Sequence, residues 1–268
     1  MQTDLTPYAD INELLEQLLS GIQKILGKKL AGLYVYGSLV TGDFEKQSSD
    51  IDLLAATSSD IDEKEAETLQ KMHHDFADKQ KEWDGRIEVA YLSVTALKTF
   101  KIRQSKMAII NPGEPFHVKE AGNDWVMNWY TVREKGMALF GPSPNTLIDP
   151  ISKEELIQAV QAYARLLNER MHDMPTRRSG QAYTILTMCR VLYTSQKGEQ
   201  VSKKRAALWA EKEFSQWASL IQNALIWREA WRDEQVDHDA TLPETQQFVR
   251  FAIDWCENTP HAPSFPPQ

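Results

Sequence analysis

Three acids define the chemistry open to this chain. In Ser49-Asp50-Ile51-Asp52-Leu53-Leu54 two carboxylates stand two residues apart in a segment otherwise suited to burial. On a strand, side chains two apart share one face, so Asp50 and Asp52 point together while Ile51 and Leu53 face the core. Such a pair of hard oxygen donors suits Mg²⁺ ions. Upstream, the apolar run Leu33-Tyr34-Val35-Tyr36 ends at Gly37-Ser38, which reads as a buried strand opening into a tight turn. A glycine there lets the backbone approach phosphate oxygens, a helix start directs amide groups at them, and Ser38 adds a hydroxyl donor. The third acid, Glu88, is the only one in the strand-like stretch Arg86-Ile87-Glu88-Val89-Ala90-Tyr91-Leu92. On a strand beside the Asp pair it would bind metal or take a proton from an attacking hydroxyl. The three parts together describe a metal-dependent phosphate site.

Positioning these residues requires a small sheet with helical cover. Ile11, Leu14, Leu15, Leu18, Leu19, Ile22 and Leu26 recur at helical spacing after Pro7, which predicts an amphipathic first helix covering one sheet face. Strands are expected at about 32–36 and 51–56, a polar helix at about 62–82, and then the strand bearing Glu88. Ser93 caps a further helix, another spans 125–135, and a short strand follows at 137–140. His73 and His74 fall on the polar helix, where the pattern predicts solvated side chains without a role. Gly141-Pro142-Ser143-Pro144 and Asp149-Pro150 punctuate the chain most clearly, and the domain boundary is placed there.

Beyond that boundary the pattern is helical throughout. Ser152-Lys153-Glu154-Glu155 is a capping box opening a helix through Leu156, Val160, Tyr163, Leu167 and Met171. Further helices are expected near 181–195, 202–214, 217–231 and 243–257, making a bundle. Trp227 and Trp231, at helical spacing, are expected to be packed core. The fold class is therefore α+β: an α/β sheet domain at 1–148, an all-α bundle at 149–258, and a proline-rich tail at 259–268 expected to be disordered.

Composition narrows the setting. In 268 residues, 42% hydrophobic and 25% charged is ordinary globular usage, which does not favour disorder of the chain as a whole. A formal net charge of −8 speaks against a surface that coats nucleic acid. Cys189 and Cys256, in apolar helical contexts, read as reduced core residues. The first residues lack the basic and apolar regions of a secretion signal, and no stretch reaches membrane-spanning length without charges. A cytoplasmic monomer, free of membrane and nucleic acid, is expected.

The ordered pattern Gly-Ser, loop, Asp-x-Asp, later strand acid resembles the nucleotidyltransferase superfamily with the DNA polymerase beta-like fold. The second half is similar to the C-terminal domain of aminoglycoside adenylyltransferases, the streptomycin- and spectinomycin-modifying group. The matching runs are Leu186-Thr187-Met188-Cys189-Arg190-Val191-Leu192-Tyr193-Thr194, Gly198-Glu199-Gln200-Val201-Ser202-Lys203 and Ala206-Ala207-Leu208-Trp209-Ala210, joined by Leu139-Phe140-Gly141-Pro142. The resemblance implies transfer of AMP from Mg²⁺-ATP to a hydroxyl of a small molecule, with release of pyrophosphate. Asp50 and Asp52 would bind two Mg²⁺ ions, and Glu88 would act as general base or third metal ligand. Gly37, Ser38 and Ser49 would position phosphates. By the same resemblance Arg190 and Lys203 face the triphosphate from the helical domain, with ATP and acceptor sharing a cleft between domains.

Two other readings stay open: an antitoxin-type enzyme that adenylylates a protein, usually a single small domain, and a non-catalytic nucleotide-binding protein. The acceptor itself is not fixed. Where streptomycin-modifying relatives carry an acid-rich loop, this chain has Met171-His172-Asp173-Met174-Pro175-Thr176-Arg177-Arg178-Ser179-Gly180. Replacing acids by arginines reverses a term worth about 4 kcal/mol at 4 Å for an effective dielectric constant near 20. A polycationic drug such as streptomycin is therefore expected to be a poor acceptor.

Overall fold

The computed structural model describes residues 5–47, 49–112, 114–122, 125–170, 176–229 and 237–258, the side chain of Glu229 excepted. The tail at 259–268, Asp173 and Trp231 lie outside the described residues. The chain divides into two compact units at Ile151/Ser152.

The first unit is built on α1 (Ala9–Leu26), β1 (Leu30–Tyr36), α2 (Ser38–Thr41), β2 (Ile51–Thr57), α3 (Glu63–Lys79), β3 (Ile87–Ser93), α4 (Val94–Thr99), β4 (Ser105–Ile110), β5 (His117–Ala121), α5 (Val126–Lys135) and β6 (Met137–Phe140). Its sheet runs β5-β4-β3-β2-β1-β6, with β2 and β3 parallel and the remaining pairs antiparallel. The parallel pair follows from the α3 crossover, since two parallel strands need a long connection. Asp62 starts α3 with a reciprocal capping box to Glu65, and Ser93 caps α4 through the Ala96 N–H.

Alternation along the strands sorts residues to two faces. Ile51, Leu53, Ala55, Ile87, Val89 and Tyr91 meet Ile11, Leu14, Leu15, Leu18, Ile22 and Leu26 of α1 and Leu69 of α3 in one buried cluster. The opposite face carries Tyr36, Asp52 and Glu88. β4 and the edge strand β5 were not expected. β5, His117-Val118-Lys119-Glu120-Ala121, is a short edge strand that carries lysine and glutamate, whereas β4, Ser105-Lys106-Met107-Ala108-Ile109-Ile110, is an interior strand with Met107, Ala108 and Ile109 buried, its apolar run too short to declare a strand by itself. His73 corrects another expectation: it is 4% exposed, its Nε2 lies 2.7 Å from the Tyr91 hydroxyl, and burial lowers its pKa to about 4. Only His74 is exposed as foreseen.

The second unit comprises α6 (Lys153–Glu169), α7 (Arg178–Lys197), α8 (Lys203–Glu213), α9 (Ala218–Glu229) and α10 (Leu242–Asn258). Buried residues occur all round α7 from Gln181 to Ser195, so it is the central helix. Its polar core member Gln181 is satisfied by Thr176 and His238 carbonyls and by Thr241 and Thr245 hydroxyls, which ties α7 to the start of α10. Gly198 ends α7 at a φ of 67°, the left-handed conformation glycine adopts without strain. Cys189 and Cys256 are buried and free. Among the described residues no helix is long and apolar enough to cross a membrane.

Candidate functional site

Register assembles the acids. Tyr36 on β1 pairs with Asp52 on β2, and Asp52 pairs with Glu88 on β3, so the three form one row on one sheet face. Neighbouring strands lie about 4.8 Å apart, which brings side chains from 52 and 88 together although 36 residues separate them in sequence. Asp50 is the last residue before β2 and is partly buried, as are Asp52 and Glu88.

The row is held by its own members. Tyr36 is buried and its hydroxyl donates to Glu88 Oε1 at 2.5 Å. Burial, then the charges of Glu88 and Asp52, push the Tyr36 phenol well above its ordinary pKa, which keeps it a donor. The Glu88 carboxyl is itself raised, first by burial and also by Asp50 and Glu114. The Tyr36 hydrogen bond and the charge of Lys119 pull it back. A carboxylate so poised is a better proton acceptor than an exposed one.

Gly37 follows Tyr36 with a φ of 70°, and a Cβ there would lie 1.7 Å from Asp52 Oδ2. Both the conformation and the space therefore demand glycine: the turn passes directly over the Asp52 carboxylate. Ser38 opens α2 immediately after it and is partly buried. Ser49 lies differently from a side chain turned to a ligand. It is 3% exposed, its hydroxyl accepts from the Glu45 N–H at 2.9 Å, and its N–H donates to the Glu45 carbonyl at 2.8 Å. These bonds close the loop that delivers Asp50.

Arg86 completes that clamp. Its guanidinium donates to the carbonyls of Ser49 at 2.5 Å and Lys46 at 2.7 Å, and rests 4.4 Å from the centroid of the Trp83 ring. The Ile51 N–H returns a bond to the Arg86 carbonyl at 2.9 Å. Thus the residue two before Glu88 fixes the backbone beside Asp50, a role the sequence did not reveal. Its only local signal was an arginine three residues after a tryptophan, flanking a strand.

The donor chemistry suits Mg²⁺, which takes oxygen ligands and is ordinarily held by one or two carboxylates together with waters and phosphate oxygens. Among the described residues no three His, Cys, Asp or Glu side chains gather into a metal-holding group. With one Glu88 oxygen engaged by Tyr36, Asp50 and Asp52 are the residues that would hold the ion. A separate cavity of about 590 Å³, lined by Trp83, Ile87, Ile110 and Phe116 among others, contains none of the three acids.

In the helical unit the two expected cations lie among tyrosines. Lys203 is the first residue of α8, which Ser202 caps through the Arg205 N–H, and its Nζ lies 4.0 Å from the centroid of the Tyr183 ring. Tyr183 hydrogen-bonds Tyr163, whose pKa rises through burial and this neighbour while Arg190 and Arg170 lower it. Arg190, one turn pair along α7 from Tyr183, is partly buried. The sequence singled out the cations but not their aromatic partners.

Arg177 and Arg178 have unlike fates. Arg177 is exposed. Arg178 starts α7, donates its N–H to His238 Nδ1 at 3.1 Å, and lays its guanidinium 5.2 Å from the ring of Trp227, which is buried as expected.

Comparison with known proteins bears on both units. Residues 15–110 match the family described as nucleotidyltransferase domain, and residues 146–254 the family described as aminoglycoside adenylyltransferase, C-terminal domain. The chain is 25% identical over 254 residues to an aminoglycoside (3'') (9) adenylyltransferase of Rhizobium radiobacter, covering 90% of this chain and 91% of the relative. It is 24% identical over 255 residues to the Escherichia coli protein of the same name, covering 91% and 94%. Among solved structures, spectinomycin adenyltransferase AAD(9) from Enterococcus faecialis, with ATP and spectinomycin, superposes with a TM-score of 0.69 at 18% identity, covering 89% of this chain and 98% of that one. At that identity the likeness is one of fold.

Proposed function

Because the chain belongs to the aminoglycoside adenylyltransferase family of nucleotidyltransferases, we propose that Asp50, Asp52 and Glu88 carry its reaction and that its preferred acceptor is a drug of low positive charge. The enzyme transfers AMP from ATP to an acceptor hydroxyl and releases pyrophosphate. The row of Tyr36, Asp52 and Glu88 beneath the Gly37 turn is the observation that supports these roles.

Asp50 and Asp52 would hold Mg²⁺, and the ion when bound offsets triphosphate charge and polarises the phosphoryl group. Glu88, oriented by Tyr36, takes the proton as the acceptor oxygen bonds to the α-phosphorus and the bond to pyrophosphate breaks. The turn at Gly37-Ser38 offers backbone amides and the Ser38 hydroxyl to phosphate oxygens. Ser49 and Arg86 act through the backbone, keeping Asp50 in place. Arg190 and Lys203 offset the charge of the outer phosphates.

The acceptor belongs to the class for which the relatives are named. Within it, the exposed Arg177 favours the compact, less cationic spectinomycin over streptomycin, since like charges repel. Arg178 contributes less, its charge lying on Trp227. Pyrophosphate release from ATP with spectinomycin, streptomycin and other aminoglycosides as acceptors tests this reading: turnover of spectinomycin above streptomycin supports it, and efficient streptomycin turnover refutes the charge preference.

A further inference from the structure

Resting on that reading, we infer that Lys119 is a specificity-determining residue which screens the acceptor by charge, from the edge strand β5 on the sheet face that carries Glu88. Three observations place it there. First, register puts it on the acidic face: Tyr91 pairs with Ala108 on the opposite face, so Met107 and its partner Lys119 share the face of Glu88, as do Ile109 and its partner His117. Second, the Lys119 charge acts on the Glu88 carboxyl, together with Glu114 from the turn between β4 and β5. Third, the ammonium is propped: its Nζ lies 4.9 Å from the centroid of Trp125, which stacks at 5.3 Å and 27° on the fully buried Trp129.

The prop gives this charge its consequence. A free surface lysine swings away from an approaching cation at little cost, but Lys119 is partly buried and its ammonium already lies against an aromatic face. Partly buried charges are also less screened by salt. An acceptor that delivers a hydroxyl to Glu88 and extends across this face toward β5 meets this ammonium. Hydroxyl, ether or carbonyl oxygens there gain a hydrogen bond, whereas a protonated amine or guanidinium meets a like charge. The acceptor edge facing β5 is thus rich in oxygen, which independently matches the preference drawn from Arg177.

The test uses the full chain with Lys119→Met, Lys119→Gln and Lys119→Glu, and reads kcat/KM for spectinomycin and streptomycin alongside the KM for ATP. The expected result is a shift of the ratio toward streptomycin, roughly tenfold for Lys119→Glu and less for the neutral variants, with the KM for ATP within about twofold of wild type. A ratio unchanged in all three overturns the inference. So does a rise in the KM for ATP with the ratio constant, which makes Lys119 a phosphate contact, or an equal loss for both drugs, which makes it structural. Titration by tryptophan fluorescence gives the same ratio from binding alone. A wild type that binds both drugs without releasing pyrophosphate counts against the proposed reaction, and the variant ratios still decide the role of Lys119. Failure of every variant and the wild type to bind either drug overturns it.

Discussion

The acids of the first unit and the cations of the second are held by opposite means. Asp52 and Glu88 sit on short side chains across adjacent strands, with the Gly37 backbone pressed on one and the Tyr36 hydroxyl on the other. Lys203 reaches out on a long stem from the first residue of a helix, and its ammonium rests on the ring of Tyr183, which is 48% exposed. A pleated sheet fixes carboxylates to within a fraction of an ångström because main-chain bonds set the spacing. Lys203 rests on a ring that is itself half exposed, unlike Lys119, whose Trp125 is stacked on buried Trp129, and so lysine and ring together can follow a ligand. Substitutions among the acids should therefore act on turnover, and substitutions among the cations on nucleotide affinity.

The largest effect is expected at Asp52. Asp52→Asn keeps the shape but removes a charge opposite Glu88 and beneath the turn, and turnover should fall by roughly a thousandfold or more, as loss of a metal-holding carboxylate forfeits several kcal/mol. Retained pyrophosphate release by the folded variant would remove Asp52 from the mechanism. Next comes Glu88→Gln, which cannot take the acceptor proton and should lower kcat by about a hundred- to ten-thousand-fold while ATP still binds. Loss of ATP affinity as deep as for Asp52→Asn, measured by calorimetry, would instead make Glu88 a metal ligand.

Arg190→Ala and Lys203→Ala should each weaken ATP by about 1.5–3 kcal/mol, roughly ten- to more than a hundredfold, and AMP far less, because only the outer phosphates lose a charge-assisted bond. Equal losses for ATP and AMP would place both side chains away from those phosphates and erase the contrast. Tyr183→Leu sharpens it: if the ring steadies Lys203, the change should resemble a mild Lys203→Ala in affinity and leave kcat almost intact.

The smallest effect on turnover is expected from His73, on the far side of the sheet from the acids. Its pKa is lowered to about 4 from 6.5 by burial, so the unfolded chain takes up a proton at higher pH than the native one. The stabilisation is whole above about pH 6.5 and is lost progressively as pH falls to about 4, by up to about 3 kcal/mol. Denaturant melts across that range should show the decline, and His73→Phe should flatten it. An undiminished slope in the variant would assign the pH dependence to other groups.

Much of this molecule is written in local pattern. The spacing from Ile11 to Leu26 predicts α1 and its buried face, the capping box at Ser152 starts α6, and Asp50-Ile51-Asp52 declares an acid pair at the head of a strand. Glu88 stands out as an acid alone in an apolar strand, whereas Arg190 and Lys203 are singled out by the family resemblance alone. Each of these signals spans a few residues, within which helix and strand periodicity dictates facing.

What only the tertiary structure decided are the partnerships. That Tyr36 holds Glu88, that Arg86 grips the loop beside Asp50, that Lys119 acts on Glu88, and that Arg178 lies on Trp227 all depend on residues brought together across strands or helices. His73 reads as solvated on a polar helix, yet the Tyr91 hydroxyl across 18 residues makes its burial tolerable. Strands β4 and β5 were hidden for a related reason: their stability comes from a neighbour's backbone, and backbone hydrogen bonding leaves little mark on which side chains a strand carries. Periodicity fixes which way a residue faces; sheet register and helix packing fix what it meets.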